Sequence, residues 1–336
     1  MARIFLTGAS GYIGGDVLHV LKSTHPEYQC SVLLRDSAKA DAVSKAYPDV
    51  RIILGDLDNV ALIEEEAAKA DVVVHAGSSS HIKSAEATAR GLAKHAGPKP
   101  GHWIQVSGAS VLSISDIVGG RFGEGSDRVY SDVDDASEVR DIIKQNAAKR
   151  VADDYVLNKV SGINTALVFP PIIYGQGRGP VNQRSVQIPE LSRVAIETRK
   201  TVQVGKGEST WSNVHIADVT DVFVKLVEKA IEGSEGDFWG QNGLYFVSNG
   251  MLSFGKISQL VADAAHKLGL IDSAAVKTVS ASEADALWAP ASVLLGTNAR
   301  QNSQRARQLG WVPQGRSIEQ EVPLTVKAEA TRLGKL

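Results

Sequence analysis

A chain of 336 residues, 43% of them hydrophobic, is long enough for a large core in two domains, or in one large domain with an appendage. A formal net charge of −2 and a sequence pI near 6.5 leave no basic excess to offset phosphate charge, which argues against a nucleic-acid or membrane-surface partner. The single cysteine, Cys30, excludes an intramolecular disulfide and suits a reducing compartment, no apolar run reaches the ~18 residues of a membrane span, and "ARIFLTG" begins a strand with no leader before it, so a cytoplasmic protein is expected.

In chain order, the apolar runs "RIFLT" (3–7), "CSVLL" (30–34), "VRIIL" (50–54), "DVVVHA" (71–76) and "HWIQVS" (102–107) suit strands buried on both faces of a parallel sheet. "TALVF" (165–169) and "LYFVS" (244–248) add a sixth and a seventh. Cys30 falls inside the second and is expected to be a core residue. Helical periodicity fills the gaps. Ile13, Val17 and Leu21 follow the first strand, and Val139, Ile142, Ile143, Ala147, Val151 and Tyr155 form one stripe before the sixth, predicting a helix through 142–157. Strand–helix alternation predicts an α/β fold, an open, doubly wound parallel sheet with helices on both faces. After Phe169 the Gly- and Pro-rich "PPIIYGQGRGPVNQR" reads as a long loop, and helices are expected at 187–199, 217–232 and 253–268. The predicted division is a dinucleotide-binding domain over 1–168 and a smaller substrate-binding lobe over 169–336, with segments near 217–250 returning to the sheet.

The glycines of "RIFLTGASGYIGGDVL" carry the first chemistry. Gly8, Gly11 and Gly14 stand between a strand and a helix. Gly8 allows the sharp turn, Gly11 lets a pyrophosphate approach the backbone, and Gly14 lets the helix pack on the sheet; the helix N-terminus offers free N–H groups to phosphate. At the end of the second strand Arg35 precedes Asp36. An arginine there pairs with a 2′-phosphate, which favours NADP(H) over NAD(H). In "GDLDN", Asp56 is either an acceptor for the adenine amino group, with Leu57 beside the ring, or a helix N-cap. In "HAGSSSH", Gly77 permits close passage of a cofactor, and His81 either reaches the substrate side or is a satisfied structural histidine.

The segments "TGASGYIG" (7–14), "GDLDN" (55–59), "VVVHAGS" (72–78), "WIQVSGASV" (103–111), "VFPPIIYGQG" (168–177) and "SNVHIADV" (212–219) resemble, in order and spacing, the extended, NAD-dependent epimerase/dehydratase-like branch of the short-chain dehydrogenase/reductase superfamily. The resemblance implies a Rossmann-type domain in which Ser10, Tyr12, Ile13, Ala76, Ser107, Lys149 and Pro170 join Gly8, Gly11, Gly14, Arg35, Asp56, Leu57 and Gly77 around the cofactor. It also implies a catalytic tyrosine, a lysine four residues later and a serine after the fifth strand. The lysine falls at Lys149. Gln145 then occupies the tyrosine position and Gly108 the serine position, with Ser107 and Ser110 on either side. Glutamine has no titratable proton near neutral pH and cannot replace the tyrosine as general acid. Tyr174 and Tyr130 are the remaining phenols considered as proton sources, and Tyr155 is expected in the core.

Arg178 and Arg184, in the glycine-rich loop, either meet an anionic ligand or are surface charges. Asp218 is expected to cap the helix after it. His215 and Asp218 are too few for a metal site, and no G-x-S-x-G elbow suggests a hydrolase. The leading reading is an NADP(H)-binding oxidoreductase with an atypical catalytic set, acting on a small, largely apolar carbonyl or alcohol, with a homodimer compatible with the resemblance. An enzyme of the same fold doing a non-redox step, and a non-catalytic dinucleotide sensor, are the alternatives.

Overall fold

The computed structural model describes residues 1–97, 99–233 and 237–336. Its strands are β1 (Arg3–Thr7), β2 (Gln29–Leu34), β3 (Arg51–Leu54), β4 (Val72–His75), β5 (His102–Val106), β6 (Tyr130–Ser131), β7 (Asn164–Phe169), β8 (Ile172–Tyr174), β9 (Thr201–Val204), β10 (Thr210–His215), β11 (Leu244–Phe246), β12 (Gly250–Ser253), β13 (Val276–Val279) and β14 (Gln301–Asn302). The seven apolar runs of the sequence are the seven strands of one parallel sheet, in the order β11-β7-β5-β4-β1-β2-β3. The order reverses direction between β1 and β4, which creates a crevice at the carboxyl ends of those strands.

Side chains alternate across this sheet, as the pleat requires. Phe5, Val73, Trp103 and Leu167 enter one apolar cluster, while Ile4, Leu6, Val74, Ile104 and Val168 enter the other. Helices Tyr12–Thr24 and Ile216–Glu232 cover the second cluster through Val17, Leu21, Val219 and Phe223. Helices Val60–Lys69, Ile82–Ala93, Ala136–Gln145 and Val151–Asn158 cover the first through Ile63, Leu92, Val139 and Val156. Cys30 is buried in β2, and burial pushes its thiol up to about 11.

The second half forms a small sheet, β12-β10-β8, and two strand pairs, β13-β9 and β14-β6. Helices Gln187–Thr198, Phe254–Lys267 and Ile318–Arg332 pack with them. The three helices expected after Phe169 are present at Gln187–Thr198, Ile216–Glu232 and Phe254–Lys267.

Two local expectations are corrected. The stripe through 142–157 is not one helix: it stops at Gln145 and restarts at Val151. Asn146 closes the first piece, its side-chain amide donating back to the Ile142 carbonyl at 2.8 Å. The intervening turn contains Lys149, so Gln145 and Lys149 do not share a helical face. Asp218 is not the cap of helix Ile216–Glu232; that cap is His215, whose Nδ1 accepts the Ala217 N–H at 3.2 Å. Asp218 instead accepts the backbone N–H groups of Gln314 and Gly315. Among the described residues, no helix is long and apolar enough to cross a membrane, and no three His, Cys, Asp or Glu side chains gather as a metal site.

Candidate active site

The glycine loop has the form its spacing predicts. Gly8 has φ +80°, and a Cβ there would stand 2.5 Å from the carbonyl carbon of Ala76. The turn off β1 therefore lies directly on the end of β4. A Cβ on Gly14 would collide with the Gly8 carbonyl. Gly11 is the N-cap of helix Tyr12–Thr24 and offers no side chain to its first N–H groups. Those donors stay free for an anion, and the helix dipole adds partial positive charge.

Above this loop lies a groove of about 400 Å³. Gly8, Ser10, Gly11, Arg35, Asp56, Leu57, Ala76 and Gly77 all line it. Tyr12, Ile13 and Gly14 follow in the first turn of the helix. Tyr12 turns away from the groove and donates its hydroxyl to the Gly175 carbonyl at 2.6 Å. Arg35 is exposed and makes no ion pair among the described residues. Asp36 is occupied, because its carboxylate accepts the Lys39 N–H at 3.1 Å as the cap of helix Ser37–Ala46. Asp56 does not cap a helix; Asn59 holds that position before Val60. The Asp56 carboxylate accepts the Asp58 N–H at 3.0 Å. His81 lines the groove and also caps helix Ile82–Ala93, accepting the Ser84 N–H through Nδ1. The bare Gly11 edge, the free N–H groups and an uncommitted Arg35 suit the pyrophosphate and adenosine half of a dinucleotide.

The other predicted residues fall elsewhere. Ser107 follows β5 at the sheet's carboxyl edge, with its N–H donated to Val168 at 2.8 Å. Pro170 follows β7 beside it, accepting the Ala109 N–H at 3.1 Å. Ser110 is half-buried in the short helical turn Ala109–Ser113. Lys149 and Gln145 are both exposed. Tyr174 is buried, its hydroxyl donates to the Arg316 carbonyl at 2.9 Å, and burial pushes its phenol far above the ordinary range. Tyr130 lies in β6 under the Arg128 guanidinium, 4.5 Å from the ring centroid. Tyr155 packs against the core. Among the described residues, no tyrosine hydroxyl hydrogen-bonds to Ser107.

What stands with Ser107 is a pair that the sequence reading passed over. Its hydroxyl donates to Asp153 Oδ2 at 2.9 Å. Arg150, next to Lys149, turns inward, donates to the Gly108 carbonyl at 2.8 Å and brings Nε to 3.4 Å from Asp153 Oδ2. Burial pushes the Asp153 carboxyl up to about 6, against the opposing pull of Arg150 and the Ser107 hydroxyl. The signal available in the sequence was an Arg and an Asp three apart, one turn of helix.

The loop after β8 packs on the cofactor side. Arg178 pairs with buried Asp16 at 2.6 Å, and Thr220 donates to the same carboxylate. Burial opposes the Asp16 charge, but these bonds outweigh it and hold the carboxyl below its ordinary range. Arg184 pairs with Glu190 and Glu329. Both loop arginines are thus satisfied internally. Beyond the loop a second cavity of about 770 Å³ opens between residues 175–185 and helix Ile318–Arg332.

Residues 8–187 match the NAD(P)H-binding family. The chain is 38% identical to the oxidase ucsJ of an Acremonium species over 343 residues, covering 99% of both chains. It is 24% identical over 258 residues to 4-hydroxy-2-methyl-3-oxo-4-farnesyl-3,4-dihydroquinoline-1-oxide ketoreductase of Stigmatella aurantiaca, covering 74% of this chain and 68% of that one. Among solved structures, DesIV of Streptomyces venezuelae, a dTDP-glucose 4,6-dehydratase crystallised with NAD and TYD, superposes with a TM-score of 0.66 at 15% identity, over 99% of this chain and 98% of that one. The glycine cradle, the strand order and these likenesses agree: the chain belongs to the NAD(P)H-binding family, and its fold is similar to that of DesIV.

Proposed function

We propose that this protein is an NADP(H)-dependent oxidoreductase that interconverts a small, largely apolar ketone and its alcohol. The observation that carries the cofactor preference is the end of β2. Arg35 lines the groove with no partner among the described residues, while Asp36, the acid that would accept ribose hydroxyls, is committed to capping a helix. The redox reading draws on the relatives, one named an oxidase and one a ketoreductase. In such a site the nicotinamide supplies or accepts hydride. This chain's residues hold it: the glycine loop takes the phosphates, Arg35 the 2′-phosphate, and Asp56 and Leu57 the adenine.

Fluorescence titration with NADPH and NADH tests the reading, followed by a ketone and alcohol panel at the nicotinamide absorbance band. NADPH is expected to bind at least about tenfold more tightly, a difference worth about 1.4 kcal/mol, and Arg35→Ala is expected to abolish the difference. Equal affinities would overturn the NADP(H) assignment. Tight binding with silence across the panel favours the sensor or non-redox reading, for which exposed Gln145 and Lys149 are the supporting observation.

A further inference from the structure

We propose that Ser107 and Asp153 form the proton route of this site, with the Ser107 hydroxyl protonating the substrate oxygen and the buried Asp153 carboxyl restoring that proton. The proposal rests on the oxidoreductase reading above and names the group that does the work of the missing tyrosine.

Position is the first argument. The groove ends at Ala76 and Gly77, beyond β4. β4 pairs with β5, His75 opposite Gln105, and β5 pairs with β7, Val106 opposite Val168. Ser107 is the residue that leaves β5, one strand on from Ala76 and Gly77. A dinucleotide with its adenosine over β2 and β3 and its phosphates at the glycine loop carries its other half toward this edge. Ser107 is 7% exposed at this edge, while Asp153 behind it is fully buried.

The second argument is how Asp153 is held. The residue is 0% exposed. Ser107 is the hydrogen-bond donor to its Oδ2, and Oδ1 has no partner among the described residues. Arg150 approaches to 3.4 Å, yet its own Nε lacks a hydrogen bond. An ion pair kept for stability satisfies both partners, and a buried carboxyl left this incomplete costs free energy. The other charged groups nearby act on other residues: Glu86 and Arg90, from helix Ile82–Ala93, act on Tyr155, and Lys144, from helix Ala136–Gln145, on Asp154. Asp153 therefore answers to Arg150 and Ser107.

The step balances. When the substrate carbonyl carbon accepts hydride from a reduced nicotinamide, the C=O π pair moves to oxygen, and that oxygen takes the Ser107 proton. The Asp153 carboxyl gives its proton to Ser107 Oγ. The carboxylate that remains faces Arg150 and, being buried, regains its proton through the Ser107 hydroxyl once the product has left and solvent reaches that edge. Alcohol oxidation runs the same transfers backward.

The first test needs no cofactor. Carboxyl ¹³C NMR of the full chain should show Asp153 titrating near 6, and Ser107→Ala should move that titration upward by removing a donor to the carboxylate. Titration in the ordinary carboxylate range, or no response to Ser107→Ala, overturns the proton route even in a working reductase. The second test is turnover. Ser107→Ala and Asp153→Asn should each lower kcat by about a hundredfold or more, with NADPH affinity unchanged in Asp153→Asn. Wild-type reduction should fall as pH rises through about 6, and Asp153→Asn should remove that dependence. Near-wild-type kcat in Ser107→Ala, the milder variant, overturns the proposal without touching the cofactor assignment. Failure of wild-type protein to bind any nicotinamide cofactor overturns the oxidoreductase reading, and the proton route with it.

Discussion

Gly8 and Gly108 both lack a side chain, but for opposite physical reasons. Gly8 sits at φ +80°, where an L-residue is strained, and its missing Cβ would press on the Ala76 carbonyl carbon at 2.5 Å. Gly8→Ala is expected to destabilise the fold by at least about 2 kcal/mol, the sum of the backbone term and the displacement of β4's end. Gly108 is extended, with φ −162° and ψ 147°, and a Cβ there meets open space. Gly108→Ser should therefore leave stability within about 0.5 kcal/mol of wild type. Urea midpoints of the two variants check the contrast, and equal midpoints would contradict it. The position that the family resemblance assigns to serine can thus house one.

At the scale of elements, the loop after β8 is tied down at both ends. Arg178 anchors it to helix Tyr12–Thr24 through Asp16, and Arg184 anchors it to helix Ile318–Arg332 through Glu329. Arg178→Ala leaves Asp16 buried with only Thr220 and one backbone N–H as donors. The expected cost is about 2–3 kcal/mol, at the low end for a broken buried pair because Arg178 is partly open to solvent. The sign with pH follows from the lowered Asp16 carboxyl, whose stabilisation is complete above the ordinary carboxylate range and lost as pH falls. The variant's deficit should narrow below about pH 4, where Asp16 protonates and no buried charge remains unpaired. Thermal midpoints at neutral and acid pH measure this. The same loop shows the limit of reading the sequence. Its glycines and arginines were legible, but the buried partners lie more than a hundred residues away. The seven strands were legible because continuous apolar runs have one stable use in such a chain. The break at residues 146–150 was not, because Ala147 and Val151 continue the helical period while Asn146 ends the helix. That break turns Arg150 inward and leaves Lys149 outside, which no periodicity could reveal.

At the scale of the whole molecule, the two halves share one core. β11, from the second half, pairs with β7 and closes that end of the parallel sheet. Helix Ile216–Glu232 packs against helix Tyr12–Thr24, supplying Val219, Val222 and Phe223 to the cluster that holds Ile4 and Leu6. A chain ending near residue 168 would lose these partners. It would expose the β7 edge and the apolar face of the first helix, a template for aggregation. We therefore predict that the full chain unfolds in one cooperative transition despite a length at which independent domains are common. Tryptophans report on both halves, since Trp103 is buried in β5 while Trp211 and Trp311 are buried in the second half. Variants that keep only Trp103 or only Trp311 should give the same urea midpoint by fluorescence, coincident with far-ultraviolet circular dichroism. Separate midpoints would mean that the dinucleotide half stands without the return of β11. Coincidence would mean that the cofactor groove is lost together with the C-terminal helix, so destabilising variants of Glu329 and Arg184 should lower apparent cofactor affinity where unfolded chain becomes populated.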